Sequence, residues 1–560
     1  MKLDILDAHF KKITISEQSS IKDAIKLIQA NSERVCFVVN KRKVMLSSVS
    51  DGDVRRGLIK GYKLSDKVKK IQNKNFNFLQ YGFSMEEAYR KFLGKINVLP
   101  VIDENGKFKG IARKHDVVPF LDIKSKKILV IGLGYVGLTL SLVLAESGFE
   151  VVGYDKNQKL LNTINKKKAP FYEKGLERYL EENLNNNFNV TNKPLTSDVY
   201  IITVGTPLSK NKKQPDLTIL KKSVLDICML LKKNDLIILR STVPVGCTRN
   251  FVAALIEKET RLKFGKDIFL SFCPERTIEG KAIEELKKLP QIVGSYCKKS
   301  SELSKRIFSE YNYTVVEVSN LESAELSKLI DNSFRDTVFA YSNQLALLTE
   351  KLKLNLVEIV DKVNLGYKRN KIPKPSPGVG GPCLSKDSYI LSNSFEKNKI
   401  GKNNIIYNAR LANERMIKEI FISLKKILKK LNKKKNSKIF ITGFAFKGNP
   451  ETSDIRMSTT VSLLDIFKKN KFNNIWGHDF KLEKNEIKKL GIKSCSLEKG
   501  FLNADAILIM NNNKKYEDLN ILNLFKKAKK PLLFYDSWQL FDPLEIKNIK
   551  GITYASVGHR

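Results

Sequence analysis

The sequence predicts an α/β protein with two parallel-sheet domains, joined by a central helical region and preceded by a small α+β module. Buried strands alternate with amphipathic helices in residues 125–315 and again in 437–560. A long segment with helical periodicity separates these blocks, and the first 124 residues repeat a strand–strand–helix order. We therefore expect segments at 1–124, 125–315, 316–420 and 437–560, with a Lys-rich linker at 421–436.

Composition limits the kinds of partner that we expect. The 560 residues include 100 Lys and Arg against 59 Asp and Glu, a net charge of +41. This charge is mostly Lys and is spread along the chain, which is typical of solvated faces. We therefore expect neither a nucleic acid nor a membrane partner.

The location that we expect is the cytoplasm. No apolar run reaches the ~18 residues of a membrane helix, and the N-terminus lacks the apolar core of a signal peptide. The seven cysteines are scattered without a Cys-x-x-Cys pair. This pattern predicts a reducing compartment and no metal site.

The N-terminal block repeats one small unit. Strands at 35–40 and 44–50 precede a helix at 51–61, and the order recurs at 97–103 and 105–121, where Asn105-Gly106 predicts a hairpin turn. The two units resemble a tandem pair of CBS domains, most clearly over residues 47–75.

The CBS resemblance implies a regulatory nucleotide. Ser50 and Asp53 match the element that holds a nucleotide ribose at a helix N-terminus. The second unit has Arg113 where the hydroxyl belongs, followed by Asp116, so we expect its site to be altered. A module used only for packing or dimerisation remains the alternative.

Residues 126–157 carry the spacing of a dinucleotide-binding turn in a Rossmann-like fold. Gly132, Gly134 and Gly137 form G-x-G-x-x-G between a buried strand and an apolar helix. Asp155 follows the second strand, where a carboxylate accepts from ribose hydroxyls and repels a 2′-phosphate. The pattern therefore favours NAD over NADP.

Two further strands end in hydroxyl residues. Thr206 follows the strand at 199–205, and Thr242 lies at the end of the strand at 235–243. Ligands of open α/β sheets bind at this carboxyl edge. We therefore expect both threonines near the cofactor.

The rest of the chain supplies a long helix and a second α/β block. Residues 322–352 show an apolar stripe at helical period, and we expect this helix to lie at the interface of a homodimer or higher oligomer. Residues 437–560 have the order of a Rossmann-like half without the three glycines. We expect this block to bind the nucleotide of a substrate.

The segment 373–389 is the strongest candidate for chemistry. Pro and Gly surround Cys383, and Lys386 and Asp387 follow it. We expect the ammonium to lower the pKa of the thiol and make it a nucleophile. The carboxylate is a candidate to bind or deprotonate a water. Taken alone, an inert loop cysteine is the alternative.

These segments together resemble the UDP-sugar 6-dehydrogenase family from about residue 126 to 560. The motifs occur in family order at 132–138, 170–177, 204–207, 241–246, 273–286, 325–332, 378–387 and 443–456.

The resemblance implies a four-electron oxidation of the sugar C6 alcohol to a carboxylate, with two NAD per turnover. Cys383 would capture the aldehyde as a thiohemiacetal that becomes a thioester. Lys328 and Asn332, on one helix face, would supply donors to the alkoxide or oxyanion. Asp387 and Glu279 are the candidate bases, and Thr242 is the candidate neighbour of the nicotinamide.

The resemblance also implies binding residues by motif position. Those implied for NAD, beside the three glycines and Asp155, are Tyr135, Val136, Thr206, Lys386 and Arg456. Those implied for the UDP-sugar are Glu275, Arg276, Gly380, Lys447 and, from the neighbouring subunit, Arg369. We expect Gly380 to let the backbone approach the substrate.

Three alternatives stay open on the sequence. Arg276 is similar to the N-acetylhexosamine branch and favours a mannosamine-type substrate for surface polysaccharide synthesis, whereas Glu279 is more typical of UDP-glucose enzymes. A two-electron hydroxyacid dehydrogenase needs neither Cys383 nor residues 437–560. An inactive nucleotide-sensing scaffold is the alternative outside enzymes.

Overall fold

A computed structural model describes residues 12–31, 33–83, 85–92, 96–114, 123–209, 213–369, 371–401 and 403–559. The chain divides into two compact units, Met1–Ser125 and Lys126–Arg560. Each unit is described by itself.

The first unit contains two three-stranded sheets with the same design. In each sheet the middle strand pairs parallel with one neighbour and antiparallel with the other. The strands are β1 (Thr14–Ile15), β2 (Val35–Val39), β3 (Met45–Ser50), β4 (Leu79–Gln80), β5 (Val98–Ile102) and β6 (Phe108–Arg113). The helices are α1 (Ile21–Asn31), α2 (Asp51–Ile59) and α3 (Met85–Phe92), with 3₁₀ turns at Val68–Lys70 and Ile123–Ser125.

The strands predicted in this unit are confirmed, and so are the helix after Ser50 and the Asn105-Gly106 hairpin. Gly106 has φ +72°, which suits the tight turn between β5 and β6. The predicted helix after β6, with Asp116, lies outside the described residues.

The second unit begins with an eight-stranded sheet in the order β14-β13-β12-β11-β10-β7-β8-β9. All neighbouring strands are parallel except the β12–β13 pair. The strands are β7 (Ile128–Ile131), β8 (Val151–Tyr154), β9 (Phe188–Thr191), β10 (Val199–Ile202), β11 (Leu236–Leu239), β12 (Phe269–Phe272), β13 (Gln291–Ser295) and β14 (Val315–Glu317). The helices are α4 (Tyr135–Glu146), α5 (Gln158–Asn165), α6 (Leu176–Asn183), α7 (Thr218–Cys228), α8 (Ala254–Thr260), α9 (Ala282–Lys288) and α10 (Lys298–Ser309), with a π-helix at Thr248–Ala253.

A second parallel sheet closes the chain, in the order β17-β16-β15-β18-β19-β20. The strands are β15 (Ile439–Thr442), β16 (Ile475–His478), β17 (Lys493–Ser494), β18 (Ala506–Ile509), β19 (Leu532–Asp536) and β20 (Ile552–Ala555). In both sheets the chain order reverses between the first and fourth strands, and ligands bind at such a switch point.

Four helices connect the two sheets, and six short helices surround the second. The connecting helices are α11 (Leu321–Leu352), α12 (Leu356–Asn364), α13 (Leu384–Lys397) and α14 (Ile405–Lys430). The others are α15 (Thr459–Lys469), α16 (Lys484–Lys489), α17 (Leu497–Phe501), α18 (Lys514–Glu517), α19 (Ile521–Lys526) and α20 (Pro543–Lys547). The long helix predicted at 322–352 is confirmed as α11.

The predicted linker at 421–436 is wrong for its first ten residues. α14 continues to Lys430, and its Phe421, Leu424 and Leu428 are buried in the core that also contains β15 and α15. The Lys residues lie between these apolar positions, so the charge run is the solvent-facing side of an amphipathic helix.

Candidate active site

The turn after β7 fits a dinucleotide diphosphate. A Cβ on Gly137 would lie 1.8 Å from the carbonyl oxygen of Gly132, so the helix packs against the turn as only glycine permits. A Cβ on Gly134 would meet nothing within 4 Å, which leaves open space at the N-terminus of α4. Asp155 is fixed beside the turn because its Oδ2 accepts from the Leu133 N–H at 2.8 Å.

Arg456 reaches this helix N-terminus from the C-terminal part of the chain. Its guanidinium lies 5.4 Å from the Tyr135 ring centroid, and Asp454 holds it through Nη2 at 2.6 Å. The Tyr135 ring stacks on Phe171 at 3.9 Å, and its neighbour Val136 is half-buried. The structure therefore brings Arg456 to the predicted diphosphate site.

Lys386 links the cofactor edge of the first sheet to the cysteine segment. Its Nζ donates to Thr206 Oγ1 at 3.1 Å, and Thr206 donates to the carbonyl of Thr242. The two threonines predicted at the strand ends therefore lie together, next to the helix that Cys383 begins.

Cys383 is exposed and lies at the N-cap of α13. Desolvation by the surrounding protein raises the pKa of its thiol, against the lowering effect of Lys328 and Lys386. The predicted net lowering of this pKa is therefore wrong, because desolvation by the neighbouring protein atoms outweighs the effect of the two ammonium groups. The carboxylates of Asp387 and Glu279 also act on the thiol and favour its neutral form.

Lys328 and Asn332 lie on one buried face of α11, as their spacing predicts. Asn332 Nδ2 donates to Asp387 Oδ2 at 2.6 Å. The other oxygen of Asp387 is buried without a hydrogen-bond partner among the described residues, and Lys386 Nζ lies 3.7 Å from it. A buried carboxylate oxygen without a hydrogen bond is unusual, which sets this atom apart at the site.

Glu279, in the segment after β12, contacts Lys447, in the segment after β15. Lys447 Nζ donates to the carbonyl of Glu279 at 2.7 Å. Burial, followed by the charge of Asp454, raises the pKa of Glu279 to about 7. Burial also lowers the pKa of Lys447 to about 8, and the carboxylate of Glu279 partly opposes this effect.

Gly380 lies where another segment of the chain passes closely. A Cβ at this position would lie 2.5 Å from the carbonyl oxygen of Met457, so the glycine allows a close approach to the chain before α15. The expectation that Gly380 also allows the backbone to approach the substrate stays a prediction.

Three residues predicted to contact the UDP-sugar have partners within the chain. Glu275 is buried in an ion pair with Arg240, and its Oε1 accepts from the Thr277 N–H at 2.7 Å. Arg276 donates to the carbonyl of Pro290 at 2.6 Å. Arg369 is exposed, with its guanidinium 4.8 Å from the Tyr367 ring centroid.

Within the first unit, Ser50 and Asp53 form a capping box at the start of α2. Asp53 Oδ2 accepts from the Ser50 N–H at 2.8 Å and from Ser50 Oγ at 2.7 Å, while Asp53 Oδ1 accepts from Arg56. Arg113, at the altered second position, pairs with Glu33.

Two further residues near the site were not predicted from the sequence. Glu173 is buried and accepts from the Gly280 N–H at 2.7 Å and the Ala282 N–H at 2.9 Å. Its negative charge raises the pKa of Lys447, against the effect of burial. The positive charge of Arg335 lowers the pKa of Lys447. Glu173 lies in the motif at 170–177, and Arg335 lies seven residues after Lys328 on the same helix, so motif position and helical spacing were the available signals.

A buried carboxylate on α11 was also missed. Glu325 accepts from the Thr248 N–H at 2.7 Å and from Gly246 and Thr248 Oγ1, so it holds the loop after β11. Burial raises the pKa of Glu325 to about 7. Its place in the motif at 325–332 was the available signal.

Neither a metal cluster nor a spanning helix is found in the described part of the chain. There, no three His, Cys, Asp or Glu side chains group in a way that could hold a metal ion. Over the same residues, each helix is too short or too polar to cross a bilayer.

The comparisons with known proteins assign the chain to the NAD-dependent nucleotide-sugar dehydrogenases. Profiles of the UDP-glucose/GDP-mannose dehydrogenase family match at residues 126–312 (NAD binding domain), 322–415 (central domain) and 440–543 (UDP binding domain). The chain belongs to this family. A CBS-domain profile matches residues 68–122.

Relatives and a solved structure agree with the family. The chain is 32% identical over 412 residues to the UDP-N-acetyl-D-mannosamine dehydrogenase of Pyrococcus horikoshii, covering 73% of this chain and 94% of the relative. It is 32% identical over 416 residues to that of Methanocaldococcus jannaschii, covering 73% and 91%. The solved UDP-D-ManNAc dehydrogenase of P. horikoshii superposes with a TM-score of 0.69 at 30% identity, covering 77% of this chain and 99% of that one.

Proposed function

We propose that the chain oxidises the C6 alcohol of a UDP-N-acetylhexosamine, of mannosamine type, to the uronic acid through a covalent Cys383 intermediate. One observation carries the proposal: the exposed Cys383 begins a helix whose Lys386 donates to Thr206 at the edge of the first sheet. On the same helix, Asp387 accepts from Asn332 of α11. UDP-glucose remains the alternative substrate.

Bound NAD would supply the acceptor for the hydride that C6 loses in each of the two oxidations. The Lys328 ammonium and the Asn332 amide donate to the C6 oxygen, where negative charge develops. Asp387 orients Asn332 through their 2.6 Å hydrogen bond. Thr242 and Thr206 would border the nicotinamide at the sheet edge. The rest of the cofactor would be held by Gly132, Gly134, Gly137, Tyr135, Val136, Asp155, Lys386 and Arg456.

The thiolate of Cys383 adds to the aldehyde carbon, and the carbonyl oxygen takes up a proton to complete a thiohemiacetal. Loss of the second hydride and of the hydroxyl proton gives a thioester. A water that Asp387 and Glu279 position then attacks the carbonyl carbon. The carbon–sulfur bond breaks, the acid leaves, and the thiol takes back a proton.

Lys447 is the proposed contact to the UDP-sugar. It follows the first strand of the second sheet and carries a buried ammonium that suits an anionic ligand. The names of the matching relatives favour the mannosamine substrate, and they support this sugar more directly than Arg276 does, because that side chain is turned to Pro290.

The test is a substrate panel with the full chain. We expect two NADH per UDP-N-acetylmannosamine, against slower turnover of UDP-N-acetylgalactosamine and UDP-glucose. Cys383→Ala should lose at least about a thousandfold in uronate formation. The control is Cys297→Ala, which alters a half-buried free thiol elsewhere. Completion of both oxidations by Cys383→Ala would refute the covalent route.

We further propose a homodimer or larger assembly built on α11. Its exposed apolar side chains recur at helical spacing: Ile330, Phe334, Tyr341, Leu348 and Leu352. An apolar stripe on a helix is typical of an interface. Arg369 is then a candidate to reach the neighbouring subunit.

The remaining proposals concern regulation and location. The pair of CBS-like sheets, with Ser50 and Asp53, is proposed to bind a nucleotide that regulates the enzyme. The cysteines in the described residues are free, which agrees with a reducing cytoplasm. We also keep the division at 125–315, 316–420 and 437–560 as a proposal, with the helical region extended to Lys430.

A further inference from the structure

Six polar side chains meet with almost no solvent exposure where α11, α13 and α14 pack together. They are Asp336, Asn343, Ser376, Ser388, Arg410 and Asn413. None belongs to the chemistry described above. Burying so many polar groups costs free energy unless they are satisfied, so their partners show what the cluster holds.

Asp336 is the centre of the cluster. Its Oδ1 accepts from Arg410 Nη1 at 2.9 Å and from Asn413 Nδ2 at 2.7 Å, and its Oδ2 accepts from Ser388 Oγ at 2.8 Å. Burial raises the pKa of Asp336, and the guanidinium of Arg410 opposes this effect. Three different helices therefore depend on one carboxylate.

The cluster also holds the loop before Cys383. Arg410 Nη2 donates to the carbonyl of Val379 at 2.9 Å. Upstream, the Ser376 N–H donates to Asn343 Oδ1 at 2.8 Å, and Asn343 donates to Asn413 at 2.9 Å. Val379 lies four residues before Cys383, and Ser388 lies five residues after it. The backbone on both sides of the thiol is thus tied to Asp336.

Asp336 also lies on the helix that carries Lys328 and Asn332, the proposed donors to the C6 oxygen. Lys328, Asn332 and Asp336 lie at intervals of four on α11, hence on one face of one rigid helix. We infer that Asp336 and Arg410 are positioning residues that fix the Cys383 sulfur relative to Lys328 and Asn332. This inference rests on the proposed role of Cys383.

A contribution to stability does not by itself explain the buried ion pair between Asp336 and Arg410. Replacing a buried ion pair with apolar side chains is often neutral or stabilising, so such a pair is weak support for a purely structural role. Arg410 is also divided between the carboxylate and a loop carbonyl, which is what a positioning role requires.

The first test variant is Arg410→Lys in the full chain. Lysine keeps the charge opposite Asp336 but has no second branch for the Val379 carbonyl. We expect alkylation of Cys383 by iodoacetamide, measured by mass spectrometry against Cys297 in the same molecule, to change about tenfold. NADH per sugar should fall from two towards one, with free aldehyde. The control is Arg415→Lys, which changes an exposed arginine that pairs with Glu419 on the same helix.

Ser388→Ala is the second variant, since it removes one hydroxyl and leaves the ion pair. We expect a change of about threefold in Cys383 alkylation with an unchanged melting temperature. If every folded variant alkylates and oxidises like the wild type, the positioning role is refuted. A wild type that yields one NADH refutes the proposed function instead, while the alkylation rates still decide the inference.

Discussion

At the residue scale, burial sets the charges of the site. The sequence placed Lys386 beside Cys383 and predicted an acidic thiol, but desolvation raises the pKa of that thiol. It also raises the pKa of Glu279 to about 7 and lowers that of Lys447 to about 8. Residue types and spacing were enough to single out Cys383, Glu279 and Lys447 as candidates. Their pKa values depend on desolvation by segments far apart in the chain, which no local pattern reveals.

Glu279 gives a prediction for stability as a function of pH. Its folded pKa of about 7 exceeds the usual 4.5, so the folded state binds the proton more tightly. The free energy of unfolding should therefore fall by roughly 3 kcal/mol, relative to Glu279→Gln, as pH rises from about 4.5 to 7. Thermal unfolding of the ligand-free proteins across this range measures the difference.

The matched control is Glu284→Gln on the neighbouring helix α9. The exposed carboxylate of Glu284 pairs with Lys288, which lowers the pKa of Glu284. The free energy of unfolding of Glu284→Gln should therefore not rise relative to that of the wild type as the pH increases. Parallel pH curves for the wild type and Glu279→Gln would contradict the raised pKa.

At the element scale, local sequence rules predicted well where one element decides the outcome. The glycine spacing and Asp155 predicted the turn after β7, and helical periodicity predicted α11. The Lys-rich segment failed because its apolar residues are buried by strands from elsewhere in the chain. Likewise, Gly380 packs against Met457, a contact between segments that no local pattern reveals.

Two glycines of the turn should respond differently to alanine. Gly134→Ala meets open space and should fold normally, but its methyl group obstructs the diphosphate, so NAD affinity should fall about tenfold or more. Gly137→Ala forces a contact of 1.8 Å on a carbonyl and should unfold the domain or lower its melting temperature strongly. NAD titration calorimetry and thermal melts separate the two, and unchanged affinity in Gly134→Ala would contradict the proposed cofactor site.

At the scale of the whole molecule, the exposed face of α11 predicts association. Phe334 is 65% exposed at the middle of the apolar stripe. Phe334→Glu places a charge in the proposed interface and should lower the mass measured by light scattering to that of a monomer at micromolar concentration. Leu544→Glu is the control, because Leu544 is 72% exposed on α20, away from the stripe. A monomeric wild type would contradict the assembly.

Cys383 begins a helix of the connecting region and is part of neither sheet. A sugar held on this sulfur as the thiohemiacetal, after the first oxidation, would stay attached to the connecting region. NADH could then leave the first sheet and NAD could replace it, while the uridine moiety stays bound at the second sheet. A single polypeptide could thus run two successive oxidations without releasing its half-finished product.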